Sequence, residues 1–203
     1  MKSILGIGNA LTDILAVLPD DTLLKAFHLP MGSMQHVDSE TGDKIWNALK
    51  TLDVHYVAGG SAANTIACTS VFGMPSSFIG KIGDDELGLL FKSDQEQYGV
   101  RTLLLKSPNP SGRSMVFVSG GNAERTFAVY LGAALDLVPD DLQPEWFENI
   151  DSVGISSGAS APEVLVQGVV DWIKSKFAPV EIENFVKLVE STKFNLPKAL
   201  QDR

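Results

Sequence analysis

The spacing of apolar positions in the central stretch, residues 58–88, predicts a helix, a buried strand and a second helix. In the first helix, Ile66, Ala67 and Val71 fall on one side, and Gly73 stands where a helix commonly ends. The apolar run SFIGKIG predicts the strand. An Asp-Asp pair follows it and can cap the second helix, so this stretch indicates an α/β fold.

Two β-rich runs farther along the chain, SMVFVS and ERTFAVY, predict a β-hairpin. The Gly-Gly-Asn sequence between them is typical of a hairpin turn. Alternation within the runs places four side chains on one apolar face, which is suited to covering a bound ligand: Met115, Phe117, Phe127 and Val129. Arg125 beside the turn either meets a charged substrate or only solvates the loop.

Polar residues follow the first apolar run of the chain, residues 4–7, which predicts a buried strand. Asn9 and Asp13 come after it, and open α/β sheets bind ligands outside the carboxyl ends of their strands. Both residues are therefore candidates for contacts with ligand hydroxyl groups. The alternatives are that Asn9 only forms a turn and that Asp13 only caps local backbone.

A Gly-Gly pair, Gly59 and Gly60, precedes the first helix of the central stretch. Adjacent glycines let a ligand approach the main chain closely, and the alternative is that they serve only tight helix–sheet packing. Asn64 lies near the start of the helix, where free N–H groups favour anions and hydroxyl-rich ligands. We therefore regard Asn64 as a candidate for binding a polar substrate.

The composition narrows the class of protein. The chain has 203 residues and a formal net charge of −9, which argues against nucleic acid or an anionic membrane as the main partner. Its single cysteine, Cys68, is expected on the apolar side of the first helix and excludes a disulfide framework or a cysteine-based metal site within this chain. No signal-like segment opens the chain and no apolar stretch is long enough to span a bilayer, so we expect a cytoplasmic protein.

Four motifs, GNALTDI, GGSAAN, FIGKIGDDELG and ERTFAVYLGAA, occur in an order and spacing that resemble the N-terminal half of the PfkB (ribokinase-like) sugar and nucleoside kinases. The adenosine-kinase-like branch is the most similar, and the resemblance covers residues 1–150. It implies a doubly wound α/β sheet with a small β lid that contains the hairpin. It also implies ATP- and Mg²⁺-dependent transfer of phosphate to a hydroxymethyl group of a sugar or nucleoside.

The same resemblance assigns roles to the candidate residues. It implies a substrate site that binds the sugar hydroxyls through Asn9, Asp13, Gly59, Gly60 and Asn64. Phe127 and Val129 would line the pocket from the lid, with Arg125 beside them. Members of the family often pair through the lid sheet, so a homodimer is a further expectation.

The resemblance to the kinases stops before their reaction centre. Those kinases carry a C-terminal Gly-Ala-Gly-Asp motif, in which the glycines form an anion hole and the aspartate takes the proton of the hydroxyl group. This sequence contains no such motif, and no later stretch offers an ATP site. Because loss of a general base alone costs about 10²–10⁴-fold in rate, we expect the chain to be inactive by itself.

The final segment, residues 151–203, has a different character. GASAPEVLVQ and KFNLPKAL resemble the C-terminal end of 4-hydroxy-3-methylbut-2-enyl diphosphate reductase. The resemblance implies that Ser160 contacts a diphosphate at a helix N-terminus, although the segment contains none of the cysteines that hold that enzyme's iron–sulfur cluster. The alternative is a strand, a turn and a helix that serve only packing, with Pro162 at the first helical position. The buried side chains of that helix would be Val164, Leu165, Val169 and Ile173.

The sequence therefore predicts a fused chain, in which the C-terminal part of a kinase fold is replaced by a reductase-like segment. The main hypothesis is the substrate-binding half of a sugar or nucleoside kinase. Two alternatives remain: a non-catalytic sugar- or nucleoside-binding or dimerisation module, and a diphosphate-binding remnant of the reductase.

Overall fold

A computed structural model describes residues 3–119, 124–147, 152–155 and 162–183. The chain divides into two compact units, Met1–Leu142 and Gln143–Arg203. Among the residues described, the strands are β1 Ile4–Ile7, β2 Leu11–Leu18, β3 Met34–His36, β4 Val54–Gly59, β5 Ser76–Ile82, β6 Arg101–Lys106, β7 Gly112–Ser119 and β8 Arg125–Tyr130. The α-helices are α1 Thr22–Ala26, α2 Ser39–Leu49, α3 Ser61–Val71, α4 Glu86–Gln97 and α5 Glu163–Phe177.

A parallel sheet with the strand order β1–β5–β6 forms one part of the first unit. Phe78 on β5 packs against Phe91 on α4, with ring centroids 5.6 Å apart. Ile66 on α3 belongs to the same buried cluster. The predicted strand and the two helices of the central stretch are thus confirmed, and they form one face of the sheet's core.

A five-stranded mixed sheet with the order β3–β8–β7–β2–β4 forms the lid-like part of the first unit. In its register, Met115 lies opposite Ala128 and Phe117 lies opposite Thr126. Met115, Phe117 and Ala128 are fully buried in one cluster with Ile45 and Leu49 of α2. The hairpin is confirmed, but the prediction of one shared apolar face is wrong, because Phe127 and Val129 lie on the opposite face of the sheet.

The surface of α3 differs from the expectation at two positions. Ile66 and Ala67 are buried as predicted, but the Val71 side chain is 64% exposed and Cys68 is also exposed. Val71 is the last residue of α3, and the buried residues of the helix, Ala63, Ile66 and Ala67, all precede it. Gly73, with φ of 85°, follows the helix end as predicted.

The second unit contains α5, which begins at Glu163. Pro162 is the N-cap and does not occupy the first helical position. The prediction that Val164 and Leu165 are buried is wrong: they are 75% and 59% exposed.

The buried residue of α5 is instead Trp172, whose ring lies 5.6 Å from that of Phe147 and 6.2 Å from that of Phe177. This aromatic cluster selects the buried face of the helix. The predicted strand of the segment is not found in its described part, residues 152–155. Ser160 and the Gly-Gly-Asn turn of the hairpin lie outside the described residues.

Asp85 caps α4, and replacing it with alanine is expected to lower the free energy of unfolding by about 1–2 kcal/mol at neutral pH. Its carboxylate accepts hydrogen bonds from the Gly88 N–H at 2.9 Å and the Ser111 N–H at 2.7 Å. Burial opposes ionisation, but the hydrogen bonds from Ser111 and Gly88 outweigh it, so the pKa of Asp85 is lowered. A lowered pKa gives stability that is present above the unfolded-state pKa of about 3.9 and is lost as the pH falls through the folded-state value.

Urea denaturation of wild type and Asp85→Ala at pH 7 and at pH 3 measures this effect. Asp85→Asn is the matched control, since asparagine retains an oxygen for the cap but carries no charge. A difference between wild type and Asp85→Ala that stays constant down to pH 3 would contradict the assignment.

Candidate functional site

Asp13 lies within the five-stranded sheet, near the start of β2. It is a residue of β2, between Val57 of β4 and Ser114 of β7 in the sheet register. The sequence prediction placed it beyond the end of β1, but β2 begins only two residues before it. Partial burial raises the pKa of the Asp13 carboxyl, and a hydrogen bond with the Ser114 side chain partly offsets the rise.

The Asp13 carboxyl lies directly against Gly59. A Cβ atom at Gly59 would be 2.5 Å from Cγ and Oδ1 of Asp13, which is closer than any side chain tolerates. Gly60 follows with φ of 94°, and a Cβ atom there would be 2.5 Å from the backbone oxygen of Asn9. A Cβ atom at Gly60 would therefore clash with the backbone, and one at Gly59, which is buried, would displace the Asp13 carboxyl.

The start of α3 adjoins this carboxylate. Gly60 is the N-cap of α3, and its carbonyl oxygen accepts a hydrogen bond of 2.9 Å from the Asn64 N–H. Asn64 and Asn9 are both exposed. The structure therefore places Asn9, Gly59, Gly60 and Asn64 on the two segments next to Asp13.

A row of side chains crosses the sheet through Asp13. In register the row runs Val57, Asp13, Ser114, Val129 and His36, from β4 to β3. The neighbouring row on the same face contains Leu15, Val116, Phe127 and Met34. Val129 and Phe127 thus share a sheet face with Asp13, and their role in lining a substrate pocket stays a prediction.

Arg125 is farther from Asp13. It pairs with Val118, which pairs with Val17 on β2. Val17 is four residues from Asp13, which corresponds to about 13 Å along the strand. The Arg125 side chain is exposed at that end of the sheet, so the structure does not bring it to the carboxylate.

Two residues that support the site were not identified from the sequence. Ser114 bonds the Asp13 carboxyl, and its only signal was a polar residue at the start of an apolar run. Asp94 of α4 accepts a hydrogen bond of 2.8 Å from the Ala58 N–H and so holds the end of β4 just before Gly59. Nothing in the local sequence connects Asp94 with Ala58, which is 36 residues earlier.

The arrangement suits recognition of hydroxyl groups. An ionised carboxylate accepts several hydrogen bonds, and apolar side chains on the same sheet face provide a surface for a sugar or base ring. In the described part of the chain, no group of three or more His, Cys, Asp or Glu side chains is placed to hold a metal ion. Nor does any helix described there have the length and apolarity needed to cross a bilayer.

Solved structures share the fold of the chain. It is similar to the adenosine kinase from Sinorhizobium meliloti, with a TM-score of 0.61 and 31% identity, over 72% of this chain and 44% of that chain. It is also similar to a probable sugar kinase from Rhizobium etli, with a TM-score of 0.61 and 29% identity, over 70% and 42% of the two chains. The α/β, ribokinase-like fold is thereby confirmed, and this chain spans less than half the length of these structures.

Curated relatives include 4-hydroxy-3-methylbut-2-enyl diphosphate reductases. The protein from Neorickettsia sennetsu is 48% identical over 58 residues, which are 29% of this chain and 19% of that protein. The one from Zymomonas mobilis is 32% identical over 126 residues, which are 61% of this chain and 37% of that protein. The predicted likeness to the reductase is confirmed over partial stretches.

The family model described as pfkB family carbohydrate kinase matches residues 42–178. The match includes β4, the Gly59–Gly60 turn and the β7–β8 hairpin, and it continues past residue 150 into α5. It covers more than half of the chain. This match, together with the ribokinase-like fold, shows that the chain belongs to the pfkB family of carbohydrate kinases.

Proposed function

We propose that this chain binds a nucleoside or sugar through the Asp13 carboxylate. The observation that carries the proposal is the half-buried Asp13 beside Gly59, bonded to Ser114 and flanked by an apolar sheet face. A carboxylate in this setting accepts hydrogen bonds from the ribose hydroxyls while the ring packs on the apolar side chains. One similar structure is an adenosine kinase from Schistosoma mansoni in complex with adenosine, which makes adenosine the first ligand to test.

Phosphoryl transfer needs groups beyond this site. It depends on positioning the phosphates and neutralising their charge, and the family expectation is ATP with Mg²⁺. The sequence lacks the Gly-Ala-Gly-Asp motif of those kinases, and the basic Arg125 lies in a sheet row about 13 Å along the strand from the row of Asp13. We therefore propose binding without phosphoryl transfer for this chain by itself.

A non-catalytic dimerisation role has one observation in its favour. On the sheet face that carries Asp13, the side chains of Val17 and Met34 are 69% and 61% exposed. Contiguous apolar patches on a protein surface mark interaction sites, and Val17 and Met34 lie on the same face as the apolar side chains of Leu15 and Phe127. We propose that two copies pair through this face, which would also cover the bound ligand.

A second candidate function is diphosphate binding by the reductase-like segment. The 48% identity to the Neorickettsia reductase favours it, and Ser160 is the residue proposed to contact the ligand. Because Ser160 lies outside the described residues, sequence similarity is the whole support for this role.

Calorimetry and thermal shift with adenosine, ribose and pyrophosphate are expected to separate these functions. Adenosine or ribose should bind and raise the melting temperature by mass action, whereas pyrophosphate tests the reductase-like role. A coupled ATP-turnover assay with the same sugars and nucleosides should show no activity. Absence of binding by every sugar and nucleoside would overturn the main proposal, and turnover at ordinary kinase rates would overturn the claim of binding alone.

A further inference from the structure

A cleft of about 480 Å³ lies in the first unit beside the start of α4. Its apolar walls include Trp46 of α2, Leu87 of α4, and Pro108 and Pro110 between β6 and β7. Arg113 of β7 also lines it. Because Arg113 precedes Ser114 in the strand, it lies on the sheet face opposite Asp13, so this cleft is separate from the proposed nucleoside site.

Arg113 is a buried cation with an incomplete set of partners. Its side chain is 2% exposed, and its guanidinium lies between the rings of Trp46 and Tyr130, 4.8 and 5.0 Å from their centroids. Nη2 of Arg113 donates to the Asp43 carboxylate. Within the described part of the chain, however, its buried Nε has no hydrogen-bond partner. A buried donor without an acceptor is unfavourable, so a ligand that supplies an acceptor to Arg113 Nε is favoured.

Further donors line the same cleft. The indole Nε1 of Trp46 is buried and, among the residues the structure describes, also has no acceptor. The first turn of α4 opens on the cleft through Glu86 and Leu87, and the first N–H groups of a helix have no acceptor inside the helix. Asp85 caps the Gly88 N–H, so the donors that remain are the Arg113 guanidinium, the Trp46 indole and the N–H groups at the very start of α4, and their natural partner is an oxygen acceptor.

The acidic side chains of the cleft limit the charge of such a ligand. Asp43 is paired with Arg113, and Asp84 is paired with Lys106 at 3.0 Å. Asp85 accepts hydrogen bonds from backbone N–H groups, which leaves Glu86 as an exposed negative charge at the rim. Repulsion by these carboxylates disfavours multiply charged anions more strongly than singly charged ones.

We propose that this cleft binds a small organic molecule through one carboxylate group. The ligand carboxylate accepts hydrogen bonds from Arg113 Nε and Trp46 Nε1. A small displacement of the half-buried indole ring of Trp46 lets the carboxylate reach these two nitrogens. The apolar part of the ligand packs against Trp46, Leu87 and the two prolines. A volume of about 480 Å³ lies within the range of small-molecule sites in proteins.

Titration with sodium benzoate, followed by ¹H–¹⁵N NMR, tests the proposal on the full chain. The indole N–H signal of Trp46, assigned from its loss in Trp46→Phe, is expected to move in a saturable way. Benzyl alcohol, which has the ring without the carboxylate, should not move it. Calorimetry should show binding about tenfold weaker in Trp46→Phe, which keeps an aromatic ring beside Arg113 but removes one donor. Trp146→Phe, outside the cleft, is the matched control and should bind benzoate like wild type.

The exposed Glu86 provides a second variant that does not disturb the buried groups. Glu86→Gln should bind benzoate more tightly than wild type, because a repelling charge is removed. Asp13→Asn should leave benzoate binding unchanged. Failure of the carboxylate-site proposal is therefore distinguishable from failure of the nucleoside-binding proposal. No saturable shift, an equal shift with benzyl alcohol, or tighter binding of inorganic phosphate than of benzoate would each overturn the carboxylate site.

Discussion

Replacing Asp13 with asparagine is expected to remove the rise in melting temperature that adenosine produces, while raising the melting temperature of the ligand-free protein. Hydrogen bonds to a charged acceptor contribute about 1.5–3 kcal/mol, so the affinity for adenosine should fall about 10–100-fold. The gain in stability has a separate cause: partial burial raises the pKa of Asp13, so the ionised carboxylate is disfavoured in the folded state. A residue that costs stability and is needed for a ligand is typical of a binding site.

The pH dependence of stability in the Asp13→Asn variant tests whether ionisation of the partly buried Asp13 carboxyl is the cause of the gain in stability. A raised folded-state pKa means that the carboxyl contributes its full stability below the unfolded-state pKa of about 3.9 and loses it as the pH rises through the folded-state value. The stability advantage of asparagine should therefore be present at neutral pH and disappear below about pH 4.

Thermal melts of wild type and Asp13→Asn, with and without adenosine, across this pH range measure both the rise in melting temperature that adenosine produces and the stability of the ligand-free protein. Asp53→Asn is the matched control, because it neutralises an exposed carboxylate outside the site and should change neither quantity. A lower melting temperature for ligand-free Asp13→Asn would show that Asp13 has a structural role. An unchanged shift with adenosine in Asp13→Asn would exclude the residue from the ligand site.

Elements with strong local signals were predictable from the sequence. The Asp-Asp pair before the second helix of the central stretch contains its cap, since Asp85 is the N-cap of α4. The apolar run of β5 and the β7–β8 hairpin are also found as predicted. In each case the structure follows from hydrogen-bonding groups and side chains within a few residues of one another.

Features that depend on distant pairing were not predictable in the same way. The alternation in β7 and β8 was interpreted correctly within each strand, but the register between them places Phe117 opposite Thr126, not on the face of Phe127. Asp13 and Ser114 are about 100 residues apart in sequence and meet only because β2 and β7 are parallel neighbours. The candidate residues were therefore recognised from their motifs, whereas the partner that holds Asp13 was not.

The buried face of helix α5 was also not predictable from the sequence. Its apolar residues are spread around much of its surface, so spacing alone did not select the buried face. The aromatic contacts of Trp172 with Phe147 and Phe177 select it and leave Val164 and Leu165 exposed. Packing partners, which the local pattern does not contain, decided the orientation of the helix.

Replacing Gly60 with alanine is expected to lower the free energy of unfolding by about 2–4 kcal/mol and to abolish nucleoside binding. The backbone φ of 94° is strained for any residue with a side chain, and the new Cβ would be 2.5 Å from the Asn9 carbonyl oxygen. Since that oxygen belongs to the backbone, relief requires the segment before β2 to move away from the start of α3. Such a movement would displace Asn9 and Asn64 relative to Asp13.

Gly73 provides the matched control, because it also has a positive φ, of 85°, but a Cβ atom added there would meet no described atom within 4 Å. Gly73→Ala should therefore show only the backbone strain, about 1–2 kcal/mol, and should bind adenosine like wild type. Urea denaturation and calorimetry of both variants measure stability and binding, and the difference between them isolates the contact with Asn9. Equal losses of stability in the two variants, with adenosine binding retained in Gly60→Ala, would show that the close approach of Gly60 to Asn9 has no part in the site.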